Sequence, residues 1–176
     1  MRILRFALSA LSLTLALSGA ASAVPQNTET ARPVPPQRKG VTWKLISTNA
    51  PTGTVSVGCV NCNAYTGDTP CTTALPILCI RKSGPGFPLP KPASVDDSNT
   101  YYKWSGGVIG TTAPTPAPGT RTAANALCVQ EFGTDWRVAE HHDGWGWHFQ
   151  AFGGVGNPSQ SFWVDVNDQP NGVCWH

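Results

Sequence analysis

Six cysteines, Cys59, Cys62, Cys71, Cys79, Cys128 and Cys174, constrain this chain more than any other residues. Their number is even, and all stand downstream of an opening with the order of an export leader. Met1-Arg2-Ile3-Leu4-Arg5 is basic, Phe6 to Leu17 is apolar, and Ala21-Ser22-Ala23 is a small-residue triplet. That order reads as a signal peptide over residues 1–23, cut before Val24. The apolar run is shorter than the roughly 20 residues that a spanning helix needs, so no membrane span is expected. A secreted or periplasmic location follows, and an oxidising compartment makes disulfides the expected state of the thiols.

Cys59-x-x-Cys62 has two competing readings, and neither holds up. A zinc site needs further ligands at close spacing. No histidine lies near, and Cys71 and Cys79 follow at intervals that match no zinc ribbon. A redox pair is expected to open a helix, whose dipole lowers the thiol pKa, yet a turn-rich stretch follows these two. Structural disulfides are the reading that remains. Four cysteines crowd between 59 and 79, and three pairings among them are open. Cys128 and Cys174 stand apart, and the simplest pairing joins them to each other.

The chain carries 12 Lys and Arg against 10 Asp and Glu, but Arg2 and Arg5 belong to the leader. Without them the charges balance, so no basic stripe points to nucleic acid or an anionic membrane. Charged residues are 12% of the chain, while Gly (18) and Pro (16) are abundant. Strands, turns and long loops suit that composition better than helical bundles. Residues 24–40, with four prolines and few large apolar side chains, read as a disordered tail. Residues 41–176 then form a single domain with the cysteine cluster at 59–79.

Within that domain Val41, Trp43 and Leu45 alternate with Thr42 and Lys44, as in a half-buried strand, and a second strand covers Thr54 to Val60. Four prolines between Ser83 and Asn99 exclude a helix or central strand there. The stretch Tyr101–Trp104 is strand-like. One helix is expected between Thr120 or Thr122 as N-cap and Gly133 beyond its end, with Ala124, Leu127, Cys128 and Phe132 on one face. Cys128 on that face would tie the helix to the sheet. In Trp145–Phe152, the residues Trp145, Trp147, Phe149 and Ala151 share a face and are expected in the core. In Phe162–Val166, the side chains of Phe162, Val164 and Val166 alternate with Trp163 and Asp165.

Two polar stretches could carry chemistry. Glu140-His141-His142-Asp143, followed by His148, offers zinc the set His141, Asp143 and His148. Glu140 and Asp143 could alternatively act as paired carboxylates in glycoside cleavage. Gly144 and Gly146 deny this stretch a helix. A Gly-x-Ser-x-Gly elbow for a serine hydrolase is absent. Asp165 to Asn171 supplies hard oxygen donors that suit either calcium or an Asx-rich turn. Trp163, on the face of Asp165, is expected to be exposed beside it, an arrangement that can stack a sugar ring.

Ala123 to Cys128 on the helix, then Phe132-Gly133-x-x-Trp136-Arg137-Val138-Ala139, then Phe162-Trp163-Val164 and a closing Cys174 resemble a C-type-lectin-like domain over residues 101–176. That resemblance implies a helix cysteine joined to a late-strand cysteine and a tryptophan-bearing strand in the core. Calcium-dependent lectins of the family carry Glu-Pro-Asn or Gln-Pro-Asp and Trp-Asn-Asp triplets, whereas here Asn167-Asp168-Gln169-Pro170-Asn171 has a different order. Residues 136–144 and 163–170 are also similar to uncharacterised secreted bacterial proteins.

The expected fold is therefore α+β, mostly antiparallel strands with one principal helix, C-type-lectin-like and disulfide-stapled. The expected function is a secreted recognition module for a glycan or envelope protein, with Trp163, Asp165, Asn167, Asp168 and Asn171 as its contact surface and no cofactor. One alternative is a metal-assisted hydrolase of extracellular polymer, with zinc or calcium as cofactor. Another is a secreted inhibitor or envelope-structural protein.

Overall fold

The computed structural model describes residues 37–99 and 102–175. The leader at 1–23 and the tail as far as residue 36 lie outside the described residues. Nine strands and one α-helix are described: β1 (Lys39–Gly40), β2 (Thr42–Asn49), β3 (Thr54–Gly58), β4 (Thr69–Pro70), β5 (Leu78–Arg81), β6 (Tyr102–Thr111), α1 (Arg121–Phe132), β7 (Arg137–Val138), β8 (His148–Gly153) and β9 (Phe162–Trp163). The main sheet runs β7-β5-β6-β8-β3-β2-β9, and β1 pairs separately with β4. All pairings are antiparallel except β6 with β8. A parallel pair needs a long crossover, and α1 lies within the one joining β6 to β8. The coarse expectation of an α+β domain, mostly antiparallel with one helix, holds.

Order begins before Val41. Arg38 accepts a hydrogen bond from the Cys71 amide at 2.9 Å, and Gly40 accepts one from Asp68 at 3.1 Å. The expected tail boundary at residue 40 is thus a few residues too late, because Lys39 and Gly40 find strand partners in Pro70 and Thr69.

The helix forms where expected. Thr120 is its N-cap and accepts from the Ala123 amide at 3.1 Å, while Gly133 ends it at φ 95°. Ala124 and Cys128 face the core. Cys128 ties the helix to the sheet, but through Cys79 on β5. Cys71 bonds Cys174, and Cys59 bonds Cys62. The expected Cys128–Cys174 pairing, and with it the closed 59–79 cluster, is overturned. Helix α1 packs over β5, which sets Cys128 opposite Cys79 at a Cα separation of 5.6 Å. The C-terminal segment instead runs beside β1, where Gly40 lies directly against the Cys174 sulfur and the backbone of Cys71 pairs with Arg38.

Trp43, Val57, Phe149, Phe162, Ile77 and Ile80 are fully buried and knit the strands into one core. Trp163 joins them at 1% exposure, against the expectation of an exposed indole. Segment 162–166 is paired on both sides: Trp163 lies opposite Thr42 of β2 and bridges to Ile77, while Asp165 bridges to Glu140. Its second face is covered too, with Gly40 against the Trp163 ring and Trp175 on Asp165, and a strand buried on both faces reads as a continuous run rather than an alternation. The prolines between 83 and 99 keep that connector irregular, as expected. Among the described residues, no helix is long and apolar enough to cross a membrane.

Candidate functional site: an aromatic and histidine cleft

The loop from Glu140 to Trp147 is built around one buried carboxylate. Asp143 is 3% exposed. It accepts two hydrogen bonds from the Arg137 guanidinium and one from the Glu140 amide at 2.9 Å, and Lys82 sits 3.3 Å away. Lys82 also donates to the Asp143 carbonyl at 3.0 Å. Burial opposes the charge on Arg137, but its hydrogen bonds and attraction to Asp143 outweigh this and raise its pKa. Asp143 thus anchors the short 3-10 turn His141–Asp143 from below.

Above that anchor the chain turns sharply. Trp145 stands between Gly144 and Gly146 at φ 59°, a region that bulky residues rarely adopt, and is 73% exposed. Gly144 permits the turn, since a Cβ there would collide with Phe149. A strained, exposed indole on a pinned loop is where functional constraint concentrates. The turn also explains why the expected common face of residues 145–151 is interrupted. Phe149 and Ala151 are buried in β8, Trp147 is half-buried and Trp145 projects outward.

The facing wall comes from residues 59–69. The Asn63 side chain accepts from the Tyr65 and Thr66 amides, each at 3.0 Å, forming an Asx turn. Asp68 braces the same loop by accepting from the amides of Asn63 and Thr42 and from the hydroxyls of Thr42 and Thr69. Ala64 packs directly against Gly172, where any Cβ would strike its carbonyl. The result presents Tyr65 at 61% exposure, 6.3 Å from the Trp147 ring. The Cys59 amide donates to the Trp147 carbonyl at 2.8 Å, so the two walls are joined at their base.

Tyr65 and Trp147 are shared by two hollows. The larger, about 320 Å³, has the Cys59–Cys62 disulfide, Asn63 and Ala64 on its other side. The smaller, about 110 Å³, is closed by His141, Val166, Asp168 and Gln169. His141 stands edge-on to Trp147 at 4.7 Å and to His142 at 4.9 Å. Both His141 ring nitrogens are buried, and no described residue hydrogen-bonds either. Burial and the neighbouring His142 lower its pKa, against weaker opposing attraction from Asp168 and Glu140. His142 contacts Glu140 at 3.0 Å and Asp168 at 3.9 Å, and its ring lies 6.0 Å from Trp145. Aromatic faces, a neutral imidazole and a carboxylate therefore line one cleft. A larger hollow of about 330 Å³ beside the β2–β3 turn holds no ionisable side chain.

The expected contact residues divide. Trp163 is in the core, and Asp165, 2% exposed, is held by Trp175 Nε1 at 2.9 Å and Arg121 at 2.7 Å. Trp163 is closed to a ligand, while Asp165 reaches only the floor of a polar hollow beside Arg121 and Asn167. Asn167, Asp168 and Asn171 are exposed, and of these Asp168 enters the cleft. Asn167 instead borders a separate polar hollow with Arg121 and Arg137. The alternative zinc set is not assembled: Asp143 is engaged by Arg137 and Lys82, and His148 packs against Tyr102 at 5.7 Å. Among the described residues, no three His, Cys, Asp or Glu side chains cluster as metal ligands. The calcium alternative at 165–171 loses Asp165 to its protein partners. Of the alternative carboxylate pair, Asp143 is buried against Arg137 and Lys82 while Glu140 hydrogen-bonds His142.

Sequence reasoning missed Tyr65 altogether and assigned Trp145 and Trp147 to the core. Glycines on both sides of Trp145 were the available signal, because Gly-Trp-Gly suits a turn better than a strand. No family model, no curated protein and no solved structure matches this chain.

Proposed function

We propose that this protein is an extracytoplasmic recognition module that binds glycan in the cleft between Tyr65 and Trp147, with the exposed Trp145 beyond His142 as an outlying contact. The observation that carries this reading is Trp145, held outward at positive φ on a loop pinned by buried Asp143. Exposed indole and phenol faces stack on the apolar faces of sugar rings, while Asn63, Asp168 and Gln169 can hydrogen-bond hydroxyls at the rim. Three disulfides are consistent with work outside the cytosol. The C-type-lectin-like likeness is part of the same proposal on the buried Trp163 strand alone, since Cys128 bonds Cys79 and not the late-strand Cys174 that the likeness implies.

An array of envelope and extracellular glycans and of envelope proteins, probed with the parent and with Trp147→Ala and Trp145→Ala, tests the reading. Glycan spots lost in both variants are expected. A parent that binds only proteins, or variants that bind every glycan the parent binds, would overturn it.

A further inference from the structure

The three disulfides differ in what they join. Cys71–Cys174 spans a separation of 103 residues and Cys79–Cys128 one of 49, so each fastens distant elements. Cys59–Cys62 spans only 3 and fastens no element to another. We propose that this third bond is a modification site: a dithiol reduces it reversibly in the folded protein, and its opening dismantles one wall of the larger hollow of the cleft.

Access sets the bond apart first. Cys59 and Cys62 are half-buried and line the hollow of about 320 Å³ together with Tyr65 and Trp147. Val60 and Asn61 between them are exposed, Val60 at 45%. Cys79 and Cys128 are fully buried. Cys71 is half-buried, but its partner Cys174 is 5% exposed and has Gly40 directly against its sulfur. Exchange requires a thiolate to reach a sulfur, so the bond at the hollow meets an external thiol before the other two.

Position sets it apart second. Cys59 directly follows β3, and its amide donates to the Trp147 carbonyl at 2.8 Å. Beyond Cys62, the Asx turn at Asn63 presents Tyr65. Between the two sulfurs Asn61 is held at φ 60°, a left-handed conformation with a steric cost that the opened loop can leave. The rest of the wall has its own supports, in Asp68 on the Asn63 amide and Ala64 against Gly172. Opening the bond therefore frees residues 59–62 and leaves the domain folded on its two longer bridges.

The exchange balances as a two-electron step. One thiolate of the dithiol attacks a sulfur of the pair, forms a mixed disulfide and releases the other cysteine as a thiolate. The second thiol of the reagent then displaces the first. Cys59 and Cys62 end as two thiols, having gained two electrons and two protons, and the dithiol leaves as its own disulfide. Strand β3 precedes the pair and an Asx turn follows, with no helix at this place among the described residues to activate either thiol. The pair is thus a target of exchange and not a catalyst of it.

The test is stepwise reduction of the folded protein with dithiothreitol, without denaturant, followed by trapping with N-ethylmaleimide and peptide mapping. Cys59 and Cys62 are expected to be labelled at a dithiothreitol concentration about tenfold or more below that needed for any other cysteine. At that point the Trp147 indole resonance should move and amide exchange should rise across residues 59–62, while β5 and α1 stay protected. Oxidised glutathione should restore the parent spectrum, and the double variant Cys59→Ser, Cys62→Ser should show the reduced protein's exchange pattern without reductant. Earlier labelling of any of the other four cysteines would overturn the proposal. So would labelling that appears only on global unfolding, or a reduced pair that leaves the Trp147 resonance and the exchange of 59–62 unchanged. None of these readouts uses a sugar, so they stand whatever the array shows.

Discussion

Two tryptophan-bearing segments of the C-terminal half, 145–147 and 163–175, share residue types and end in opposite places. Trp163 and Trp175 are 1–2% exposed, and Trp175 donates its indole N–H to buried Asp165. Trp145 is 73% exposed and Trp147 lines an open cleft. The difference comes from what lies over each face. Segment 162–166 is covered on its second face as well, with Gly40 against the Trp163 ring and Trp175 on Asp165. The 144–146 turn is held from beneath, through Asp143 and by the Trp145 amide on the His142 carbonyl, and the Trp145 indole stays exposed. What surrounds the backbone on both sides, rather than the identity of the side chain, decides whether an aromatic becomes core or surface.

The sharpest way to break that comparison is to truncate one indole from each segment. Trp163→Ala should lower unfolding free energy by about 3–5 kcal/mol, the range for deleting a large buried aromatic. Trp145→Ala should stay within about 0.5 kcal/mol of the parent, as exposed substitutions do. Denaturant melts of both variants decide it, and comparable losses would end the distinction.

The disulfides extend the contrast. Removing Cys79–Cys128, which spans 49 residues between buried thiols, should cost about 4 kcal/mol by loop-closure entropy. Removing Cys59–Cys62, with a separation of 3 at the cleft, should cost about 2 kcal/mol by the same relation. Paired Cys→Ser variants and chemical denaturation measure both, and a reversed order would contradict the assignment of these bonds to core and cleft.

Asp143→Ala should cost about 1–3 kcal/mol through its lost hydrogen bonds, toward the lower end because Arg137 and Lys82 are partly solvated. It should also speed amide exchange across residues 140–147 while leaving β5 protected. Uniform exchange across both regions would show that Asp143 supports the fold at large and not this loop.

The smallest expected effect is a pH dependence. The His141 pKa is lowered from 6.5 by burial and by His142, with Glu140 and Asp168 opposing and the Trp43 and Trp147 rings packed against it. Below pH 6.5 the unfolded chain therefore binds more protons at this position than the folded one. Its contribution to stability is full above pH 6.5 and is lost as pH falls toward the lowered value. His141→Phe should flatten the fall in melting temperature between pH 7 and 5. An unchanged slope would mean that the folded ring titrates as it does in the open chain.

Much of the scaffold was legible in the sequence, because its signals are local. Thr120 and Gly133 bracket the helix, alternation marks β2, and prolines keep 83–99 irregular. The disulfide pairing was not legible. Cys79 meets Cys128 only after α1 has docked on β5, and spacing carries no record of that contact. The site was half legible: His141 and Asp168 stood out as polar, and Asp168 was placed in the ligand surface. Tyr65 gave no periodic signal, since an Asx turn at Asn63 and packing of Ala64 on Gly172 position it from across the chain. Alternation placed Trp163 outward because alternation describes one strand and says nothing of what lies over its second face.

Indole N–H resonances in a ¹H–¹⁵N spectrum, followed while chitotetraose and cellotetraose are titrated in turn, test the central claim most directly. Trp145 and Trp147 should move with at least one of the sugars, while Trp43, Trp163 and Trp175 hold still. Shifts confined to Trp43, Trp163 or Trp175, or seven unmoved indoles beside a saturable binding isotherm, would contradict the cleft.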